Sequence, residues 1–233
     1  MNETPRVAVI IPALNEAASI ANVLTHIPQR YRTYVIVADN GSIDGTPEIA
    51  KKEGAIVVPA PQQGYGAACL AGIEHAKKLK PEIYIFLDAD FSDYPEDMDV
   101  LVDELLAKNL DMVIGSRNLG GAESGSLLPQ ARFGNWLATK LIHLRFGHLY
   151  TDLGPFRAIR AQALYDLDMK DTNFGWTVEM QVKAIKNKLK VGEVSVRYRK
   201  RIGVSKITGT VSGTVKAGIK ILWTIGKYGL LNA

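Results

Sequence analysis

The feature of this sequence that most restricts its fold is the alternation of short β-branched runs with helix-like segments through the first half of the chain. Residues 7–13 and 33–39 have the composition and length of buried strands. The helix-like segment at 45–54 has Thr46 and Pro47 near its beginning, which are typical of a helix start, and it stops at Gly54. Repeated units of this kind predict an α/β fold, with a mainly parallel sheet covered by helices on both faces.

The same patterns give the expected elements along the whole chain. Strands are predicted at 7–13, 33–39, 55–60, 83–90, 110–117 and 191–199. Helices are predicted at 15–26, 45–54, 65–79, 96–108, 131–146 and 176–188. Residues 118–129 are rich in Gly and Ser, and predict a mobile loop beside the carboxyl ends of the strands.

Polar residues follow three of the predicted strands, at 13–16, 38–40 and 88–90. In open parallel sheets, ligands bind outside the carboxyl ends of the strands, so we expect these three strand ends to line one cleft. Asp39 ends the second strand, and its carboxylate could accept hydrogen bonds from the N–H groups of a uracil or guanine base.

The apolar run at 83–87 ends in two carboxylates, Asp88 and Asp90. Residues two apart on an extended segment face the same side, so both side chains could face one cation. Their hard oxygen atoms suit Mg²⁺ or Mn²⁺, which take one or two carboxylates together with substrate phosphates. The alternative is a polar turn after a strand. Four further acids are assigned to the start of the next helix, where its dipole favours them: Asp93, Glu96, Asp97 and Asp99.

Two common nucleotide-binding motifs are absent from the sequence. The first predicted strand is not followed by G-x-G-x-x-G, and the chain has no G-x-x-x-x-G-K-[ST]. A nucleotide bound here would therefore not be held by a dehydrogenase fingerprint or a Walker-type loop. A metal ion bridged to a diphosphate is the remaining simple option.

The charge of the chain is divided unevenly. From Lys183 to the end there are 12 Lys or Arg and one acid, giving +11, while the remainder carries 16 basic and 23 acidic residues, giving −7, so that the sum is +4. The excess predicts an anionic partner for the C-terminal part. In a strand continued through 196–201, Arg197, Arg199 and Arg201 would share one side, where they could bind phosphate. The alternative is a basic edge strand protected against pairing.

The tail at 207–229 is predicted to form an amphipathic helix. One face would carry Ile207, Val211, Val215, Ile219 and Leu222, and another Lys216, Lys220 and Lys227. With Trp223 and Tyr228 present, such a helix can lie on an anionic bilayer. Close packing on the domain or on a second subunit is equally open, through Gly209, Gly213 and Ala217. Without interleaved aromatic platforms, a nucleic-acid partner is not expected.

The compartment is predicted from what the sequence contains and lacks. A single cysteine, Cys69, suits a reducing compartment. The N-terminal residues do not read as a secretory leader, and no stretch approaches the roughly 18 apolar residues of a spanning helix. We expect a cytoplasmic protein, at most peripheral at the cytoplasmic face of a membrane.

Several of these motifs together resemble a known family. Four segments of the chain resemble the nucleotide-binding half of inverting family 2 glycosyltransferases of GT-A fold: VAVIIPALNE, VIVADNGSIDGT, QQGYGAACLAGIEHA and YIFLDAD. Three later segments resemble the dolichyl-phosphate mannose and glucose synthase branch of this family: DLGPFRAIR, FGWTVEMQ and RIGVSK. The resemblance covers about residues 5–207. It implies a Rossmann-like domain at 1–206, with a nucleotide-sugar and metal half (1–117) and an acceptor half (118–206), followed by the tail helix at 207–233.

The resemblance also implies roles for individual residues. Those implied for nucleotide binding are Pro12, Ala13, Asn15, Glu16, Asp39, Gly64, Asp88 and Ala89. Asp88 and Asp90 would bind the metal, and the implied catalytic residues are Asp88, Asp90 and Glu179, the last where the family has an acid close to the acceptor. Those implied for phosphate or acceptor binding are Arg117, Arg132, Arg201 and Lys206. Three positions depart from the family pattern: Asn40 replaces a second acid, Tyr65 a basic residue, and Ser92 an amide metal ligand found in some relatives.

The implied activity is transfer of a hexose, with inversion, from UDP-glucose or GDP-mannose to a polyprenyl or dolichyl phosphate. A phosphate monoester has a second pKa of about 6, so it is a nucleophile at neutral pH. A hydroxyl acceptor, which is the alternative, would need a positioned carboxylate such as Glu179. A third reading is a non-catalytic module that binds nucleotide sugars. The donor base and sugar, the acceptor chain and a homo-oligomer are left open.

Overall fold

A single mixed sheet forms the centre of the protein. The computed structural model describes residues 5–203 and 211–230. Within them the strands are β1 (Val7–Ala13), β2 (Tyr34–Asp39), β3 (Ile56–Pro59), β4 (Ile83–Phe86), β5 (Met112–Ser116), β6 (Arg157–Arg160) and β7 (Val191–Ser195). They lie in the order β3-β2-β1-β4-β6-β5-β7, and β6 alone of these seven runs antiparallel to its neighbours. The predicted α/β fold with a mainly parallel sheet is confirmed.

Helices cover both faces of this sheet. They are α1 (Ile20–His26), α2 (Thr46–Lys52), α3 (Tyr65–Lys77), α4 (Met98–Ala107), α5 (Arg117–Gly120), α6 (Pro129–Phe146), α7 (Ala161–Leu167), α8 (Trp176–Lys186) and α9 (Val211–Leu230). Short 3-10 turns at Gln29–Tyr31 and Pro95–Asp97 connect some of them. No helix in the described ranges is long and apolar enough to cross a bilayer.

The central strand β1 shows how the sequence builds two cores. Every residue of β1 is buried, and its side chains alternate between the two faces of the sheet. Val9 and Ile11 belong to the core beneath α1 and α4, whereas Ala8 and Ile10 belong to the core beneath α3, α6 and α8. Burial on both faces explains why the strand reads as a continuous apolar run. Each isoleucine contributes roughly 1.5–3 kcal/mol by being removed from water.

The sequence did not predict β6, which pairs antiparallel with both β4 and β5. Its residues, RAIR, are charged at both ends and too few to show a period. The first of them, Arg157, is fully buried, and its guanidinium donates to the carbonyl oxygens of Gly154, Pro155 and Thr177. Backbone acceptors therefore satisfy a charge that would otherwise argue against a central strand.

Three predicted elements are shorter in the structure by four residues or more. The strand predicted at 83–90 ends at Phe86, because the two aspartates that follow it lie in a loop. The strand predicted at 191–199 ends at Ser195, and residues 199–202 pair instead with the backbone of residues 90–92. The helix predicted at 15–26 begins at Ile20, because Asn15 has a left-handed backbone with φ of +52°.

The C-terminal helix α9 packs on α6 and α8. Its buried residues include Thr224 and Ile225, while Ile219 and Trp223 are exposed. The helix predicted for the tail is therefore present, and it packs on the domain. The predicted positions of Lys206, Ile207 and Gly209 lie outside the described residues, as do the side chains of residues 211–217.

Two glycines allow the start of α3 to lie directly against the loop that precedes α8. A Cβ added at Gly64 or Gly66 would fall far inside van der Waals contact with the carbonyl oxygens of Thr172 and Asp171, respectively. The Ala67 N–H donates to Thr172 O across the same contact, at 2.9 Å. Only residues without a side chain permit this approach of two backbones.

We expect Gly66→Ala to lower the free energy of unfolding by about 1–3 kcal/mol, because a backbone segment must move to admit the new methyl group. Gly134→Ala is the matched control, since Gly134 is also helical and no atom of the described residues lies within 4 Å of its added Cβ. That variant should gain up to about 1 kcal/mol from helix propensity. Urea denaturation of both variants measures the difference, and equal stability of the two would contradict the packing described here.

Candidate active site

A cavity of about 340 Å³ opens at the carboxyl ends of β1, β2 and β4. It is lined by Pro12, Ala13, Leu14, Glu16, Asn40, Gln63, Gly64, Tyr65, Ala68, Asp88, Ala89, Asp90, Asn173, Phe174 and Arg201. The three polar strand ends expected to meet therefore do line one cavity. A site at this edge of the sheet is where open α/β folds bind their ligands.

The loop after β1 is tied to the loop after β2 by side-chain hydrogen bonds. The Asn15 N–H donates to Ser42 Oγ at 2.8 Å, and Asn15 Oδ1 accepts from the Ile43 N–H at 2.9 Å. The Glu16 N–H donates to Thr46 Oγ1 at 2.8 Å. Pro12, Ala13 and Glu16 reach the cavity wall, whereas Asn15 is exposed and lies outside it.

The end of β2 places Asn40, rather than Asp39, in the cavity wall. The Asp39 carboxylate accepts from the N–H groups of Gly41 and Ser42, at 3.2 and 3.3 Å. Asn40 donates through Nδ2 to Ala60 O and Gln62 O, at 2.8 and 2.7 Å, and its Oδ1 accepts from the Gly64 N–H at 2.8 Å. The carbonyl oxygens of Ala60 and Gln62 need a hydrogen-bond donor, which an ionised carboxylate cannot provide. The amide of Asn40 therefore fits this position, where the family pattern has an acid.

Asp88 and Asp90 lie in the loop that follows β4, and both reach the cavity. Asp90 is buried; its Oδ1 accepts from the N–H and the hydroxyl of Ser92, at 2.9 and 2.5 Å. Its Oδ2 pairs with Arg201 Nη2 at 2.6 Å. Asp88 Oδ1 accepts from the Tyr65 hydroxyl at 3.0 Å. Burial and the neighbouring charge of Asp90 raise the pKa of Asp88 to about 7.

The donor set at this turn fits a hard divalent cation. Two carboxylates reach one cavity, and the pKa of Asp88 is raised by burial and by the charge of Asp90, so a bound cation would favour its ionised form. No group of three or more His, Cys, Asp or Glu in the described part of the chain is arranged to hold a metal ion. A cation here would take further ligands from water or from substrate phosphates, which is common for Mg²⁺.

Asp93, predicted at the start of a helix, does not lie there. It is buried, and its backbone forms a β-bridge with Tyr198. Neither of its carboxylate oxygens has a hydrogen-bond partner among the described residues. Burial, followed by the charges of Asp88 and Asp90, raises its pKa well above the ordinary value. Glu96, Asp97 and Asp99 do lie at the helix start, and Asp97, at the N-cap of α4, accepts from the Arg197 backbone N–H at 2.8 Å and from its Nε at 2.9 Å.

The three arginines expected to form one row lie in separate environments. Arg197 pairs with Asp97, and Arg199 stacks on the rings of Phe91 and Tyr94. Only Arg201, of the three, lines the cavity. Its backbone is held there by the hydrogen bond from the Ile202 N–H to Asp90 O, at 2.9 Å.

Arg117 and Arg132, which the resemblance also implies, lie outside this cavity. Arg117 is nearly buried, and its Nε and Nη2 donate to the two oxygens of Asp152, both at 2.7 Å. Its guanidinium also lies over the Tyr198 ring. Arg132 is exposed and lines a second cavity, of about 370 Å³, beside α6. That cavity is lined by Asn118, Arg132, Asn135, Trp136, Thr139, Lys140, Leu149, Tyr150 and Thr151.

Glu179 is fully buried in α8. Its carboxylate accepts from the N–H groups of Lys170 and Asp171, at 3.0 and 2.6 Å, and from the Tyr228 hydroxyl at 2.6 Å. It also pairs with Lys183 Nζ at 2.7 Å. Glu179 lines neither cavity.

The sequence interpretation missed Asn173 and Phe174, which line the cavity from the loop before α8. The only sequence signal for them is a polar-aromatic pair just before Gly175 and a helix, which is a weak one. Asn173 Oδ1 is buried and has no partner among the described residues. Tyr65, for which no donor contact was predicted, lines the cavity and contacts Asp88.

Comparisons with known proteins identify glycosyltransferases as relatives of this chain. A family model described as glycosyl transferase family 2 matches residues 8–168. An uncharacterized glycosyltransferase of Mycobacterium tuberculosis is 36% identical over 91% of this chain and 94% of its own length. A dolichyl-phosphate hexose transferase of Haloferax volcanii is 31% identical over 88% of both chains.

Solved structures agree on the fold. Glucosyl-3-phosphoglycerate synthase of Mycobacterium tuberculosis, in complex with Mn²⁺, UDP-glucose and phosphoglyceric acid, superposes with a TM-score of 0.76. It is 19% identical, and the match covers 97% of this chain and 80% of that one. This likeness supports the GT-A type of α/β fold.

We expect Asp93→Asn to raise the free energy of unfolding by about 1–3 kcal/mol at pH 8, because it removes the charge of a buried carboxyl whose oxygens lack a close hydrogen-bond donor among the described residues. The folded-state pKa of Asp93 is raised, so its penalty grows as pH rises above the unfolded value of about 4. The gain should therefore shrink toward pH 4. Thermal unfolding at both pH values measures it.

Asp97→Asn is the matched control for this prediction. Asp97 is also a buried aspartate of the same segment, but it is paired with Arg197, so its replacement should destabilise the protein by about 1–2 kcal/mol. Destabilisation by both variants would show that Asp93 has a stabilising partner.

Proposed function

The chain belongs to glycosyl transferase family 2, and from this premise we propose that it transfers a hexose from a nucleoside diphosphate sugar to a polyprenyl phosphate. UDP-glucose and GDP-mannose are the donors to be tested. The observation that carries the proposal is the cavity at the strand ends, where Asp88, Asp90 and Arg201 face one space. Two carboxylates and a guanidinium can bind a metal ion and a diphosphate in the same space.

The metal ion would be Mg²⁺ or Mn²⁺, held by Asp88 and Asp90. When bound, it would supply positive charge to the departing nucleoside diphosphate. The Mn²⁺ in the glucosyl-3-phosphoglycerate synthase complex supports this choice. Arg201, which pairs with Asp90 and lines the same cavity, would bind the same phosphates and stabilise the charge that develops on them.

The nucleoside would lie between the loops after β1 and β2 and the start of α3. Pro12, Ala13, Glu16 and Gly64 line this part of the cavity, and Ala89 lies beside the paired carboxylates. Asn15 and Asp39 would act indirectly, because their side chains hold the turn at 41–43. Asn173 offers a buried amide oxygen that can accept from a base or a sugar hydroxyl.

The acceptor would use the second cavity. Arg132 and Lys140 supply positive charge there, while Trp136 and Leu149 supply apolar surface. A phosphate attached to a hydrocarbon chain requires both. The dolichyl-phosphate hexose transferase relative supports this class of acceptor. The division into a donor half at 1–117 and an acceptor half at 118–206 is part of the same proposal.

The acceptor oxygen would attack the anomeric carbon from the face opposite the diphosphate. The new bond joins that carbon to the acceptor phosphate as the bond to the nucleoside diphosphate breaks, so the configuration inverts. A phosphate monoester with a second pKa of about 6 needs no general base at neutral pH. The burial of Glu179 within a network of internal hydrogen bonds is compatible with this mechanism.

Exposed apolar side chains support a lipid surface as the place of the reaction. Phe133 and Leu144 on α6 are exposed, as are Ile219, Leu222 and Trp223 on α9. Lys227 lies near the Trp223 ring, at 5.0 Å. A helix end with an exposed aromatic ring and a lysine suits a peripheral contact with an anionic membrane.

A second candidate function is transfer to a hydroxyl acceptor. It is favoured by the likeness to glucosyl-3-phosphoglycerate synthase, whose complexes contain phosphoglyceric acid. A hydroxyl needs a general base, and the carboxylates that line the cavity are Glu16, Asp88 and Asp90. Glu179 would be that base only after its internal hydrogen bonds were broken.

The test is transfer of labelled sugar from UDP-glucose and from GDP-mannose, assayed separately, onto a polyprenyl phosphate with Mn²⁺ or with excess chelator. We expect label in the organic phase from one donor, only with the metal. Asp90→Asn should lower this activity at least about 100-fold while thermal unfolding shows that the fold survives. The control, Asp99→Asn, removes a half-exposed carboxylate of α4 and should remain active. Metal-dependent release of nucleoside diphosphate without lipid label would move the acceptor to the hydroxyl class.

Arg132→Met should raise the KM for polyprenyl phosphate about tenfold with little change in the donor KM, because it removes a charged contact from the second cavity only. Arg145→Met, on the same helix but outside the lining of that cavity, is the control. Steady-state kinetics with varied acceptor measure the difference. Equal acceptor KM values for the two variants would argue against the second cavity as the acceptor site.

A further inference from the structure

Residues 170–175, here called the cavity loop, form one wall of the donor cavity. Asn173 and Phe174 line the cavity directly. The opposite side of the loop lies on α3, where the Ala67 N–H donates to Thr172 O at 2.9 Å. The position of this loop therefore determines where Asn173 can meet a ligand and how α3 approaches the cavity.

Two carboxylates hold the shape of the cavity loop. Asp171 Oδ1 accepts from the N–H groups of Asn173 and Gly175, at 2.8 and 3.2 Å. Glu179 accepts from the N–H groups of Lys170 and Asp171. Four backbone amides of the loop thus bind carboxylates rather than a helix or strand ladder. Hydrogen bonds to charged acceptors are stronger than those between neutral groups.

Both carboxylates are in turn held by side chains of α9. Lys220 Nζ pairs with Asp171 Oδ2 at 2.8 Å, and the Tyr228 hydroxyl donates to Glu179 Oε1 at 2.6 Å. The side chains of Asp171 and Glu179 are 6% and 0% exposed. Lys220 and Tyr228 are eight residues apart, about two helical turns, so they lie on one face of α9.

The packing around Gly175 brings α9 close to the cavity loop. A Cβ added at Gly175 would approach Asp171 Oδ2 and Thr224 Oγ1 within 2.6 Å. Thr224 is buried on the same helix, between the two contact residues. The helix is also tied to α8 by the hydrogen bond from Lys186 Nζ to Tyr228 O, at 3.2 Å.

We propose that Lys220 and Tyr228 are positioning residues, through which the C-terminal helix holds the cavity loop in its donor-binding shape. The contacts are continuous, from Tyr228 through Glu179 to the loop, and from the loop to Asn173 in the cavity. Neither Lys220 nor Tyr228 lines the cavity, so both act through other residues. The proposal rests on the proposed function in taking this cavity as the donor site.

The first experiment needs no activity. Hydrogen exchange of the full chain, followed over residues 168–176, compares the wild type with Tyr228→Phe and Lys220→Met. We expect amides of the cavity loop to exchange roughly tenfold faster in both variants, because hydrogen bonds to their carboxylate acceptors are weakened. Tyr165→Phe is the matched control: it removes a tyrosine hydroxyl that pairs with Tyr84 at 2.8 Å and does not touch the loop. Wild-type exchange rates in both variants would overturn the proposal.

The second experiment measures whether the cavity loop affects binding of the donor. Calorimetric titration with UDP and with GDP, each with Mn²⁺, and the donor KM are measured for the same variants. We expect weaker nucleotide binding and a raised donor KM, each by about three- to tenfold, with kcat and the acceptor KM retained. Lys220→Arg, which keeps a cation for Asp171, should restore both values. Faster loop exchange with unchanged nucleotide affinity would overturn the link to the donor.

The two experiments separate the proposals. If the wild type binds neither nucleotide, the proposed function fails, while the exchange data still decide whether α9 holds the loop. If nucleotide binds, and Lys220→Met and Tyr228→Phe lose kcat and stability without a change in donor KM, these are structural residues. The positioning role is then overturned.

Discussion

Three aspartates crowd the end of β4, and much of the surrounding structure can be understood from their mutual repulsion. Asp90 and Asp93 are buried, and Asp88 lies beside them at the cavity. Their charges are offset in part by Arg117 and Arg201, which follow β5 and β7, respectively. Clustered buried anions are tolerated only with such compensation, so the strands that deliver the arginines and the turn that carries the aspartates depend on one another.

This arrangement also distinguishes the two guanidinium groups. Arg117 is fixed by a bidentate pair with Asp152 and by the Tyr198 ring, so it contributes a permanent charge from below the cavity. Arg201 is held through Nη2, by Asp90 at 2.6 Å and by Glu16 at 3.9 Å, and its buried Nε has no partner among the residues that the structure describes. A fixed guanidinium preserves the local potential, whereas one held through a single nitrogen can exchange partners with an incoming phosphate.

The sequence predicted the parts of the protein that depend on local patterns. The strands and helices of the first half, and the meeting of the β1, β2 and β4 ends, follow from periodicity and from the geometry of parallel sheets. It could not predict β6, because four residues with two arginines carry no period, or the partner of each arginine, because those pairs join distant segments. Asp93 was assigned to a helix start for the same reason: its burial is set by Tyr198, more than 100 residues later.

The antiparallel strand β6 has a consequence for the order in which the protein can assemble during synthesis. The strands β3, β2, β1 and β4 are adjacent in the sheet, and all of them are complete by residue 86. β5 follows at Met112–Ser116, but its partners in the described sheet are β6 and β7. It must therefore wait for residues 157–160 to leave the ribosome before it can join. Until then the nascent chain carries a half-sheet whose exposed edge is β4, next to the aspartates that later need arginines from the unsynthesised part.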